Sequence, residues 1–76
     1  MIITDHIEIN PEVMMGKPVI RGTRITVQSI LEKLGAGEKE EDILQDYPKL
    51  TQESIKAALI YAAHHVSGDI TFAIAS

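Results

Sequence analysis

The stretch Gly16-Lys17-Pro18-Val19-Ile20-Arg21-Gly22-Thr23-Arg24-Ile25-Thr26 decides how this chain is read. Gly16 and Gly22 accept positive φ and suit places where a Cβ would clash, while Pro18 fixes its own φ and pushes Lys17 toward an extended conformation. Thr26 stands just ahead of an apolar stripe, where its hydroxyl can accept from the free N–H groups of a first helical turn. The segment reads as a shaped turn that feeds a helix.

Working outward on the C-terminal side, Val27, Ile30, Leu31 and Leu34 recur at i, i+3, i+4, i+7, and Ile25 with Ile30 forms a hydrophobic staple across the helix start. Gly35 is expected to stop this helix in the left-handed conformation, with Gly37 a further flexible point. A second helix is expected over residues 38–46, burying Ile43 and Leu44, with its carboxylates near the positive end of its dipole and Pro48 beyond its end. The third has Thr51 as cap, Leu50 as staple to Ile55, and Gln52 and Glu53 in its first turn, and runs to about His65. Tyr47-Pro48-Lys49-Leu50 separates these two helices, the connection length of a helix-turn-helix pair. On the N-terminal side, Ile7-Glu8-Ile9 alternates and ends at Asn10-Pro11, a short strand with Val19-Ile20 as its partner. After Gly68, which allows a chain reversal, Asp69-Ile70-Thr71-Phe72-Ala73-Ile74 alternates and suits a strand.

Gly16-Lys17-Pro18, Ile20, Gly22-Thr23-Arg24-Ile25, Gly37, Ile43-Leu44, Tyr47-Pro48, Leu50-Thr51, Ile55, Ala57-Ala58-Leu59 and Tyr61-Ala62-Ala63, in this order, resemble the signature of family 433 of domains of unknown function. These small bacterial and archaeal domains are often described as helix-turn-helix antitoxins. The resemblance covers nearly the whole chain and implies a three-helix, DNA-binding-like fold commonly encoded beside a PIN-like ribonuclease toxin. Residues and resemblance together give a mainly α expectation: a three-helix, homeodomain-like helix-turn-helix core, a short N-terminal β-ribbon and an extended C-terminal tail, all in one domain over residues 1–76.

Composition bounds the function. A chain of 76 residues buries only about 60–65% of the surface its unfolded form exposes, so its stability alone is marginal. It has no cysteine for a disulfide or a thiolate zinc site, which leaves helix packing or oligomerisation. The apolar N-terminal run is broken at once by Thr4, Asp5 and His6, too early for a signal-peptide core, and no run approaches membrane-spanning length; the expectation is a cytoplasmic protein without a membrane partner. A net charge of −4 argues against a protein devoted to gripping phosphate backbones. The charge is polarised, however. Residues 14–37 carry a balance of +3 through Lys17, Arg21, Arg24 and Lys33 against Glu32, and residues 38–46 carry −4, five acids against Lys39.

Lys17, Arg21 and Arg24 are the first candidate site residues, suited to phosphates or to a carboxylate cluster on a partner protein because guanidinium forks match either bidentately. Arg24 has an equally weighted structural reading, as a brace to backbone carbonyls or to an acid of the second helix. Thr23 belongs to the same loop and suits a turn hydroxyl better than a ligand. In a helix-turn-helix reading Gln52, Glu53, Ser54 and Lys56 face base edges, yet the preceding helix would bring its acids against DNA, opposed by about 1 kcal/mol per screened close contact. The segment 57–63 is apolar on every helical face, which points to a homodimer through Ile60 and Tyr61 or through the tail residues Ile70, Phe72 and Ile74.

His64 and His65 are adjacent, point about 100° apart and suit a helix C-terminus better than a shared metal. No activated nucleophile, paired carboxylates or phosphate-binding glycine motif is present, so neither an enzyme nor a cofactor is expected. The functional expectation is an antitoxin-like module that restrains a PIN-like ribonuclease and binds its own promoter DNA. The alternatives are a free-standing DNA-binding regulator and a structural interaction module.

Overall fold

The computed structural model describes residues 4–69. Its organising feature is the turn at Ile20–Thr23, where the Thr23 N–H donates to the Ile20 carbonyl at 2.9 Å and Gly22 takes φ +80°, the torsion a type II turn demands at its third position. The Ile20 N–H then bonds the Ile25 carbonyl at 2.9 Å, and Val19 bridges to Thr26. Gly16 also has positive φ, +81°. A Cβ built on Gly22 meets nothing within 4 Å, and one on Gly16 comes no nearer than 3.8 Å to Pro11 Cα. Torsion, rather than the expected lack of room, is what requires glycine at both.

This turn delivers strand β2 (Val19–Ile20) against β1 (Ile7–Glu8), antiparallel, with Ile7 opposite Ile20. The short sheet expected from the alternation is present, and both isoleucines are buried. Between the strands an Asx turn, Glu12 N–H to Asn10 Oδ1 at 2.9 Å, enters a 3-10 turn at Met14–Gly16. Met14 and Met15 take φ of +50° and +59° there, conformations that cost a non-glycine residue on the order of 1–2 kcal/mol.

Helix α1 (Val27–Gly35) starts as its sequence expects: Thr26 Oγ1 accepts from the Ser29 N–H at 3.0 Å, and Ile25 packs against the core that contains Ile30. Its end differs. Gly35 is helical, and the left-handed residue is Gly37, with φ +92°. The Glu38 N–H reaches the Lys33 carbonyl at 3.0 Å and the Gly37 N–H reaches that of Leu34 at 3.0 Å, a Schellman closure whose left-handed residue stands two positions beyond Gly35.

Helix α2 (Glu40–Asp46) begins two residues later than expected, with Lys39 at its N-cap and no side-chain cap bond; Glu40, Glu41 and Asp42 fill its first turn. Helix α3 (Gln52–Asp69) follows residues 47–51. Thr51 caps it, and Ser54 completes a reciprocal box: the Ser54 N–H donates to Thr51 Oγ1 at 3.2 Å and the Thr51 N–H donates to Ser54 Oγ at 3.3 Å. Ser54 is therefore buried and turned inward, which removes it from the set expected to face outward. α3 continues past His65 to Asp69 because its hydrogen-bonded ladder is not interrupted at Gly68, so the reversal expected there is replaced by helix. His64 and His65 consequently lie inside the helix rather than at its end. The expected tail strand beyond Asp69, with Ile70, Phe72 and Ile74, falls outside the described residues.

Ile7, Ile20, Val27, Ile30, Ile43, Leu50, Ile55 and Ala58 form one core to which both strands and all three helices contribute. Burying each of its larger side chains is worth roughly 1.5–3 kcal/mol. The architecture is thus mainly α, three helices around a two-stranded antiparallel sheet. Among the described residues no helix is long and apolar enough to cross a membrane.

Candidate functional site

The type II turn makes the basic loop a fixed projection. Thr23 Oγ1 donates to the Ile20 carbonyl at 2.8 Å and accepts the Ile25 N–H at 3.0 Å. Its hydroxyl is thereby engaged in the turn, the role its place in the loop suits better than that of a ligand. Arg21 and Arg24, on either side of it, are exposed, and neither guanidinium forms an ion pair or hydrogen bond with any described residue. Lys17 is exposed and only grazes Gln28, its Nζ 3.5 Å from Oε1.

The brace to an acid of the second helix, one of the alternative readings of Arg24, comes from Lys33 instead. Its Nζ lies 3.5 Å from Glu38 Oε2, 3.6 Å from Asp46 Oδ2 and 5.3 Å from the centroid of the Tyr47 ring. Desolvation opposes the charge on this ammonium, but Glu38, Tyr47 and Asp46 together outweigh it and leave its pKa raised. The polarisation seen along the chain is thus partly neutralised within the fold, while the turn cations stay available.

A contributor not singled out from sequence is Lys49, in the α2–α3 connection. It lines an open hollow with Glu8, Val13, Gly22, Thr23 and Arg24. Lys56 lines a second hollow with His6, Glu53, Ala57 and Ile60, and the Arg21 N–H bonds the His6 carbonyl at 2.8 Å. His6 thus adjoins both the basic turn and the first two turns of α3, where Gln52 and Lys56 are exposed. Lys49 and Arg24, 25 positions apart, share this hollow only in the folded chain, and sequence spacing carries no signal of that.

The far half of α3 is apolar and uncovered. Leu59, Ile60 and Val66 are 46%, 53% and 44% exposed. Tyr61 is half-buried, packs on the core and stacks on His65 at 5.7 Å between ring centroids, so its own chain already occupies part of that ring. Among the described residues no group of His, Asp or Glu side chains is arranged to hold a metal ion.

Residues 7–62 match the family described as a protein of unknown function, DUF433. The chain belongs to the DUF433 family. The DUF433 span opens on Ile7, the first residue of β1, and closes within α3, so it takes in the whole basic turn, Lys49 and the start of α3. A crystal structure of a DUF433 member protein from Anabaena variabilis ATCC 29413 is similar over 96% of this chain and 71% of that one, with a TM-score of 0.77 and 33% identity. The uncharacterized protein y4eO of Sinorhizobium fredii (strain NBRC 101917 / NGR234) is 40% identical over 53 residues, 70% of this chain. The matched segment spans only 24% of that relative's length.

Proposed function

We propose that this DUF433 chain is an antitoxin-like binding module that holds and restrains a partner protein, a PIN-like ribonuclease, through its basic turn. The observation that carries this reading is the pair Arg21 and Arg24, exposed on a hydrogen-bonded turn and unengaged by any described side chain. A rigid guanidinium fork loses little freedom on binding and matches a carboxylate cluster bidentately. In a PIN-like nuclease such a cluster holds the catalytic divalent metal, and an arginine seated in it takes the place of that cation. The acidic net charge of the chain also suits a protein partner better than a phosphate backbone.

Co-expression with a PIN-like ribonuclease tests it, the product of the adjoining reading frame being the first to try. The wild-type chain is expected to co-purify at fixed stoichiometry and suppress RNA cleavage. Arg21→Ala with Arg24→Ala is expected to weaken inhibition at least tenfold, and lysine at both positions to restore it only in part. Inhibition unaltered by the double alanine variant would reject the arginine role, and the absence of a complex would reject the module itself.

A second activity, promoter binding, rests on a separate observation: the connection 47–51 between α2 and α3 is short, which suits a helix-turn-helix, and Lys49 in it and Gln52 and Lys56 in the first turns of α3 are exposed. The acids of α2 oppose it, so affinity for duplex DNA is weak and steeply salt-dependent in this reading. The homodimer belongs to the same proposal, supported by Leu59, Ile60 and Val66 on the open side of α3.

A further inference from the structure

Met14 and Met15 are the least explained residues of the fold. Both hold positive φ, +50° and +59°, immediately before Gly16 at +81°. The turn that imposes this is well closed: the Val13 N–H bonds the Asn10 carbonyl at 2.9 Å, the Gly16 N–H that of Val13 at 3.1 Å and the Lys17 N–H that of Met14 at 3.2 Å. If its backbone course were all that mattered, glycine or asparagine would supply the same torsions without strain. The methionine side chains give the core nothing in return. Met14 is 41% exposed and Met15 92%, and neither packs on the core cluster.

Their position supplies the missing reason. Val13, directly before them, lines the hollow that Arg24 and Lys49 share, and Lys17 follows them after a single glycine. The knuckle is thus an apolar projection with Lys17 after it and Glu12 before Val13, beside a hollow in which Arg24 and Lys49 outnumber Glu8. We infer that Met14 and Met15 form an apolar anchor for a protein partner whose surface presents a hydrophobic socket beside a cluster of carboxylates. This rests on the protein-binding reading above and adds to it: the arginines supply charge matching, and the methionines supply apolar area that becomes buried only in the complex. Thioether side chains suit the task, being unbranched, polarisable and able to conform to an irregular socket. Backbone strain held outside the core is the pattern of sites where structure serves binding rather than stability.

Glycine substitution separates the two roles, because it keeps the left-handed torsion and deletes only the side chain. Met15→Gly and Met14→Gly are expected to melt at or above the wild-type temperature, yet to bind the PIN-like ribonuclease that the wild-type chain captures on co-expression at least tenfold more weakly in calorimetric titration. Met15→Leu, which keeps the apolar bulk, is expected to bind within about threefold of wild type. If wild type binds and Arg21→Ala weakens it while both glycine variants bind as wild type does, the anchor is overturned and the arginine reading survives. If wild type does not bind at all, both fall together. A glycine variant that melts well below wild type and regains wild-type affinity on cooling would make the methionines structural, and overturns the anchor as well.

Discussion

Lys33 Nζ and Asp46 Oδ2 stand 3.6 Å apart, joining the last turn of α1 to the last turn of α2, and the same ammonium reaches Glu38 at the near end of the connection at 3.5 Å. One side chain thus spans α2 from both sides while lying over Tyr47. α2 has only seven residues and no side-chain cap bond at its start, so its place depends on Ile43 in the core and on this clamp. Lys33→Met is expected to lower the melting temperature, and the difference from wild type to shrink as sodium chloride is raised from 50 mM to 1 M, since salt screens the pairs but leaves the stem's packing intact.

The sign of its pH dependence follows from the same contacts. The pKa of Lys33 is raised above its ordinary value of 10.5, so the folded state binds the proton more tightly than the unfolded chain does. Its contribution is fully present below that ordinary value and is lost as pH climbs through the raised one. Wild type minus Lys33→Met, measured by thermal melts, should therefore stay flat from pH 7 to 9 and narrow only in strongly alkaline buffer.

Gly35 and Gly37 should respond to alanine in opposite directions. Gly37 has φ +92°, and Gly37→Ala is expected to destabilise by about 1 kcal/mol. Gly35 is helical with open space where a Cβ would stand, and Gly35→Ala is expected to stabilise by about 0.5 kcal/mol. Urea unfolding of both variants decides which glycine ends the helix, and equal effects would contradict the Schellman closure.

Thr51 and Ser54 act as one unit. Each alanine substitution is expected to cost about 1 kcal/mol, but the double variant should cost less than the sum, because removing either hydroxyl already breaks the reciprocal pair. A double-mutant cycle by chemical denaturation reads that coupling, and strict additivity would argue against it.

Leu59→Glu with Val66→Glu should leave the melting temperature near that of wild type, because both side chains are exposed and outside the core. If the open side of α3 is a homodimer contact, the same variant should run at the chain mass in light scattering while wild type runs at twice that mass. A wild-type monomer at micromolar concentration would refute the contact.

Much of the fold was legible because it is local. Thr26, Thr51 and the two staples advertise helix starts through short-range bonds, and Ile7-Glu8 with Val19-Ile20 advertises the sheet by alternation. What escaped depends on tertiary placement. Gly35 and Gly37 both follow the apolar stripe, and only the closing bonds to Lys33 and Leu34 choose between them. Ser54 reads as polar and outward until the box with Thr51 turns it in. Lys33 rather than Arg24 braces α2, because α1 packs on α2 and carries Lys33 to Glu38 and Asp46. Lys49 joins Arg24 only through the hollow they share, and nothing about a methionine pair announces left-handed torsions. Ile70, Phe72 and Ile74, lying beyond the described residues, bear on none of this.

The extension of α3 to Asp69 has a further consequence, in exchange rates. Eighteen residues of helix measure about 27 Å, whereas the nine of α1 measure about 14 Å, so α1 backs only part of α3. Amides just after Ser54, Ile55 and Ala58 sit over the core and should trade deuterium only when the whole domain opens. Those from Ala63 to Val66, whose side chains are all exposed, should trade by separate, shallower openings. One continuous helix would then carry two clocks, and the slower reading toward Thr51 would tick together with Ile30 and Ile43 in the core.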